Sequence, residues 1–375
     1  MKDILGAQPY FGSAVGPILR DVKSVLKTGQ LTQGPHLEAF EKEFSRFTGT
    51  RYAAGVHSGG SGLELIVRAL DLQGGEIIVP TNTFVASASS VILGGGKVVF
   101  ADINRDTLAL DIKSIENRIT PRTRGIMIVY MFGIIPGYMN SIKALCRKHG
   151  LFLIEDAAHA HGASYKNAMA GSIGNAACFS FYATKVITTG EGGVITTNDK
   201  DLYKKILMLR NHGKSLEGDT FELVSNNYRL AEIPSILGRH QLSAMEKNIR
   251  RRNEIAAYYT HELRGVEEIQ LLSQSARGLQ HSYWRFPVLL KNPSARKELQ
   301  KLMAGNHGVR ITWMYEPLCH LQPLFRKSHR HRKGDFPVAE YCMERLICLP
   351  THLALSDNDL KRVTNALKKE LPGCR

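Results

Sequence analysis

Between residue 51 and about residue 200, short apolar runs alternate with helix-like segments, and no other feature of this chain restricts its fold so strongly. The runs are Tyr52–Val56, Glu76–Val79, Val98–Ile103, Gly125–Tyr130, Leu151–Asp156, Ala176–Tyr182 and Gly193–Thr197. Between the first two, Leu63, Ile66, Val67 and Leu70 recur at the spacing of one apolar helix face. Val85–Leu93, Ile112–Ile119 and Met139–Lys148 also read as helices. Strands that alternate with helices form a mainly parallel sheet covered on both faces. The expected fold class is therefore α/β. A large domain over residues 1–245 carries a mainly parallel, mixed seven-stranded sheet sandwiched by helices. A smaller C-terminal α+β domain follows over residues 246–375. Near that boundary one long helix is expected from about Ile236 to Leu263, its apolar face interrupted by Arg252.

Sheets of this kind gather ligands at the C-terminal ends of their strands. Asp156 ends one apolar run, and Lys185 follows another in Cys178-Phe-Ser-Phe-Tyr-Ala-Thr-Lys185. A glycine-rich hairpin, Gly190-Glu-Gly-Gly193, comes next. Upstream, Ser58-Gly-Gly-Ser-Gly62 opens the helix that begins at Leu63. Glycines let the backbone approach a phosphate, and a helix N-terminus offers free N–H groups with a favourable dipole. A desolvated carboxylate needs a cationic partner, and a protonated pyridine nitrogen is one. A lysine amine can form a Schiff base with an aldehyde. In this order, amine, carboxylate and phosphate cup are the parts that hold pyridoxal 5'-phosphate (PLP). Each part also has a plainer reading: an exposed loop lysine, a carboxylate paired with Arg or Lys, a capped turn. Asp156 with His159 and His161 could recruit a metal, but no further ligand cluster accompanies them, so no metal is expected.

The balance of charge, +15, sits largely in Arg250-Arg-Arg252 and Arg326-Lys-Ser-His-Arg-His-Arg-Lys333. Such runs are solvated surface or attract a phosphorylated ligand. No recognisable nucleic-acid-binding fold accompanies them, so no nucleic-acid partner is expected. The stretch from Gly125 to Tyr138 is too short and too broken to span a bilayer, so no membrane association is expected. The N-terminus lacks a signal-peptide core, and the six scattered cysteines read as buried thiols of a cytoplasmic protein.

From about residue 5 to 370 the chain resembles the sugar aminotransferase family called DegT/DnrJ/EryC1/StrS, a family of fold type I PLP enzymes in the aspartate aminotransferase superfamily. The resemblance rests on Gly29-Gln-Leu-Thr-Gln-Gly34, Ser58-Gly59, Pro80-Thr-Asn-Thr-Phe-Val-Ala86 and Glu155-Asp-Ala-Ala-His-Ala-His-Gly162. It continues through Ser180-Phe-Tyr-Ala-Thr-Lys185, Glu191-Gly-Gly193, Arg210-Asn-His-Gly213 and His320-Leu-Gln-Pro323. It implies that Lys185 binds the cofactor covalently and moves the proton, while Asp156 pairs with the pyridine nitrogen. Phe84 would stack on the ring. Gly59, Gly60, Ser61 and Ser180 would form the phosphate cup, joined by Asn227 from the neighbouring subunit of a homodimer. His159 stands where many relatives carry Gln near the ring hydroxyl.

The chain departs from the family pattern at His57-Ser-Gly-Gly60, where Asn-Ser-Gly-Thr is usual. It departs again at Ser225-Asn-Asn-Tyr-Arg-Leu230, where Asn226 could substitute for Asn227, and at Tyr130-Met-Phe-Gly-Ile-Ile-Pro-Gly137, which lacks the common His. The implied activity is transfer of an amino group from L-glutamate, through pyridoxamine 5'-phosphate, to a keto sugar, commonly a nucleotide-linked keto-deoxyhexose. A cyclitol ketone, a sugar dehydration or a non-catalytic regulatory role are the alternatives. Dehydratase branches commonly replace the lysine with histidine, whereas this chain keeps Lys185.

Overall fold

The computed structural model describes residues 3–272 and 278–374. Its main sheet has seven strands: β1 (Tyr52–Val56), β2 (Glu76–Pro80), β3 (Lys97–Ala101), β4 (Thr123–Val129), β5 (Phe152–Asp156), β6 (Ala176–Ser180) and β7 (Gly193–Thr197). Their spatial order is β1-β7-β6-β5-β4-β2-β3. Only β7 runs against its two neighbours; the other pairs are parallel. All seven expected strands are present, with ends shifted by one or two residues. Strands β2 and β7 are buried over their full length, as sheets covered by helices on both faces require.

Two buried glutamates tie segments around this sheet together. Glu232 caps the helix Pro35–Thr48 from almost two hundred residues away. Its carboxylate accepts from the N–H groups of Gly34, His36 and Leu37 at 3.1, 2.9 and 2.8 Å. Those are donors that the first helical turn leaves without partners, and the helix dipole favours a negative charge there. On β5, Glu155 accepts from Tyr130 Oη and from the N–H groups of Gly171, Ile173 and Gly174, all between 2.7 and 2.9 Å. It thereby folds the loop before β6 against the sheet.

The helix expected from Ile236 to Leu263 is two helices, Glu232–Leu242 and Met245–Glu262. The Ser243 hydroxyl donates to the carbonyl of His240 at 2.8 Å, a local bond that competes with continuation of the helix. Arg252 does not break the apolar face by pointing to water. It is buried, and its Nη1 donates to Tyr283 O and Thr351 Oγ1.

Beyond this helix a second apolar cluster forms around Leu299, Met303, Val363 and Leu367. Its antiparallel sheet orders β8 (Ile269–Leu271), β9 (Phe286–Leu290) and β10 (Leu346–Leu349) with β9 in the centre. Ile4, near the chain's start, pairs with Val309 and belongs to this second cluster. Among the described residues no helix is long and apolar enough to cross a membrane.

Replacing Glu155 by Ala leaves four buried donors without an acceptor. The variant should lose about 3–5 kcal/mol of unfolding free energy, read from urea denaturation of the cofactor-free protein. An unchanged midpoint would show that the loop is held by something else.

Candidate active site

Pleating sends neighbouring side chains of a strand to opposite faces. Glu155 therefore serves the packing face, and Asp156, one residue on, opens into a cavity of about 540 Å³ at the C-terminal strand ends. Asp156 is only 6% exposed. Its Oδ2 accepts from Ser87 Oγ at 2.6 Å and its Oδ1 from the N–H of Ala158 at 3.1 Å. Ser87 gives its only proton to Asp156, so Thr83 Oγ1, 2.6 Å away, donates to Ser87 in turn. Burial pushes the Asp156 carboxyl above its ordinary range, against these bonds and the nearby Lys185 charge.

Lys185 enters the same cavity from the turn after β6, where its N–H bonds to Tyr182 O. Its Nζ lies 4.5 Å from the centre of the Trp284 ring. Burial, aided by the positive charge of Arg285 and opposed by Asp156, pushes its amine down to about 7. Trp284 is fixed in turn by a hydrogen bond from Nε1 to Thr184 O at 2.5 Å, so the ring is tied to the lysine's own loop. His159 stacks on the other partner of this contact, 3.8 Å from the Trp284 ring centre. Burial and the positive charges of Lys185 and Arg285 hold His159 neutral, and its Nε2 lies 3.4 Å from Tyr315 Oη.

The phosphate-cup segment starts the helix Gly59–Ala69. Ser58 Oγ caps it by accepting from Ser61 N at 3.1 Å. The helix end sits so close to β6 and β7 that side chains would collide there. A Cβ on Gly59 would lie 2.8 Å from Ser180 Cβ, and one on Gly193 would lie 2.7 Å from the Ser58 carbonyl. A Cβ on Gly60 would meet only Ala86, at an ordinary 3.5 Å, so packing does not demand that glycine. Gly59, Gly60 and Ser180 all line the cavity.

Phe84 also lines it, half exposed and tilted against Tyr315 at 5.2 Å. Ser61 does not. Its hydroxyl is turned back to Ser58 O and His57 Nδ1, so it supports the helix start from behind. Asn227 lies outside the cavity of its own chain, exposed, with its Oδ1 accepting from Arg229 N at 3.1 Å. Five lining residues had no signal in the sequence: Ser87, Trp284, Arg285, Met314 and Tyr315. Ser87 could have been found, since it lies four residues after Thr83 on an expected helix. The other four come from the C-terminal third of the chain, and no motif there points to them.

The model of the DegT/DnrJ/EryC1/StrS aminotransferase family matches residues 15–368. The chain belongs to this family. Its members are PLP-dependent enzymes. The protein is 34% identical to the GDP-perosamine synthase of Caulobacter vibrioides, over 90% of this chain and 91% of that one. It is 32% identical to the UDP-N-acetyl-3-dehydro-alpha-D-glucosamine 3-aminotransferase of Acidithiobacillus ferrooxidans, over 97% and 96% of the two chains. Among solved structures it resembles PseC of Helicobacter pylori, an aminotransferase involved in pseudoaminic acid biosynthesis. The TM-score is 0.91 at 28% identity, covering 99% of this chain and all of the other. The putative sugar aminotransferase Spr1654 of Streptococcus pneumoniae, solved in PLP and PMP forms, also matches with a TM-score of 0.91, at 26% identity over 99% of this chain and 98–99% of that one. This aminotransferase thus shares both fold and family with sugar-modifying enzymes along nearly its whole length.

The depressed Lys185 amine sets a testable pH dependence. Below about pH 7 the amine is protonated and inert, and above it the neutral form reacts with carbonyls. Reductive methylation of Lys185 in the cofactor-free enzyme, followed by peptide mass spectrometry, should rise to a plateau through about pH 7. A rise seen only at the alkaline pH of an ordinary lysine would contradict this electrostatic reading.

Proposed function

We propose that the protein moves an amino group from L-glutamate to the keto group of a nucleotide-linked deoxyhexose, using PLP held by the residues of this cavity. The supporting observation is the convergence, in one buried space, of the Lys185 amine, the Asp156 carboxylate and the start of the helix Gly59–Ala69. The donor set suits the cofactor. Asp156 is buried and forms no ion pair among the described residues, so it can take the protonated pyridine nitrogen as its counter-charge. The relay from Thr83 through Ser87 holds that carboxylate in place. Gly59 and Gly60 offer free N–H groups to the phosphate, with the Ser180 hydroxyl beside them. Phe84 and His159 flank the ring. Ser61 steadies the cup, and Asn227 reaches the phosphate from the partner subunit of a cytoplasmic homodimer.

When bound, PLP would supply an aldehyde carbon that takes up the amino group and a ring that acts as the electron sink for the substrate carbon. Lys185 is the residue that would hold the cofactor aldehyde, through Nζ. It is the lysine that lines the cavity, so the same Nζ moves the proton at the substrate carbon. A pKa near working pH lets that nitrogen both take and give the proton with little loss. Trp284 lies over the amine and keeps water from it. The positive charge of the chain and the nucleotide-sugar names of its relatives favour a phosphorylated ketone as acceptor. In the same reading the chain divides near residue 245 into a cofactor-binding domain and a smaller domain that closes the cavity with Trp284 and Tyr315.

Lys185→Ala should lower kcat by at least about 10²–10⁴-fold while leaving thermal stability and dimerisation intact. Product would be followed by mass spectrometry with glutamate and a panel of nucleotide-linked keto sugars. Transamination retained in that variant would refute the assignment.

A further inference from the structure

Two arginines, Arg252 and Arg285, are buried near the cavity without a carboxylate partner. Arg252 is explained by protein acceptors, Tyr283 O and Thr351 Oγ1, and it does not line the cavity. Arg285 differs. It lies just before β9, is 5% exposed and lines the cavity. Among the described residues its single hydrogen bond runs from Nη1 to the adjacent carbonyl of Trp284 at 3.2 Å, and its Nε has no partner. The acidic groups near it are the Tyr315 phenol and the Cys348 thiol, and burial keeps both neutral. Asp156 and the exposed Glu191 share the cavity, but among the described residues neither forms an ion pair with Arg285, and Ser87 and Ala158 already occupy the Asp156 oxygens. A guanidinium kept from water with no anion beside it is costly, so its position makes sense when a ligand brings the anion.

The location narrows which anion. Arg285 and the Lys185 amine lie on the same ring: the guanidinium carbon is 4.7 Å and the amine 4.5 Å from the Trp284 centre. An amino acid carries its carboxylate one bond from the carbon that reacts at the lysine. A sugar diphosphate carries its charge several bonds away from the keto carbon. A planar guanidinium with free N–H groups also suits a carboxylate's two oxygens. We infer that Arg285 receives the α-carboxylate of the amino donor, an assignment that rests on the aminotransferase reading above and identifies how that site selects amino acids.

The test compares holoenzyme with Arg285→Gln and Arg285→Lys. Calorimetric titration with glutarate, which is glutamate without its amino group, needs no turnover. Glutarate should bind about ten- to a hundredfold more weakly to Arg285→Gln, with partial recovery in Arg285→Lys. In single-turnover reactions the half-saturating concentration of glutamate should rise by a similar factor. That of the keto sugar, and the reactivity of propylamine, which has no carboxylate, should stay at wild-type values. Equal glutarate affinity in all three proteins overturns the inference. A weakened keto sugar with unchanged glutarate would assign the guanidinium to the phosphate instead. A shifted visible band of the resting cofactor with unchanged glutarate would assign it to the cofactor. Should Arg285→Gln not fold, Arg285→Lys carries the same comparison with a severalfold expected loss, and wild-type affinity there overturns the proposal. If the wild-type enzyme reacts with no amino acid, the aminotransferase reading fails, while the glutarate comparison still reports on Arg285.

Discussion

The site depends on two carboxylates that stand next to each other on one strand and do opposite work. The pleat of β5 sends Glu155 into packing, where four donors satisfy it, and Asp156 into the cavity, where two hydrogen bonds hold it and, among the described residues, no ion pair does. A slip of one residue in the pairing of β5 with β4 and β6 would exchange these roles. The loop over residues 171–174 would then lose its acceptor, and the cavity its acid. Because Glu155 is bonded on both oxygens to three backbone amides and a phenol, that register is held from the packing side. The chemistry on the other face inherits its geometry from it.

Electrostatics in the cavity follow from burial more than from ion pairing. Burial is the largest influence on Asp156, His159 and Lys185 alike, raising the carboxyl and lowering the two bases. These three groups are pushed toward their neutral forms, and the neutral form is the one in which an amine attacks a carbonyl. Covering that space takes residues from the C-terminal third of the chain. Trp284 contacts the lysine, stacks on His159 and bonds to Thr184 O, so one indole joins three parts of the site. The C-terminal third is thus part of the active site and not an appendage to it.

Much of this was legible beforehand, and the failures have physical reasons. Strand positions, the helix at Val85–Leu93, and the approach of Lys185, Asp156 and the Gly59–Gly60 turn were all readable from periodicity and local residue chemistry. The break at Ser243 was not, because a serine that bonds its own helix leaves the apolar spacing on either side undisturbed. Arg252 read as an interruption in an apolar face, yet it is an internal donor whose acceptors lie thirty and a hundred residues away. Nothing in the local sequence marks Glu232, because its carboxylate caps a different helix almost two hundred residues away.

The amino-acid order by itself determined the layered α/β architecture, the family, and which lysine and which aspartate reach the strand ends. Those features are local: a period of two or 3.6 residues, a glycine where backbone must come close, a polar group at the end of an apolar run. Only the tertiary structure decided that Ser87 steadies Asp156, that Trp284 covers Lys185, and that Arg285 lies buried in the cavity without an anion. Such facts are distances between residues far apart in the chain, and burial, which sets their energies, exists only once the chain has closed around them.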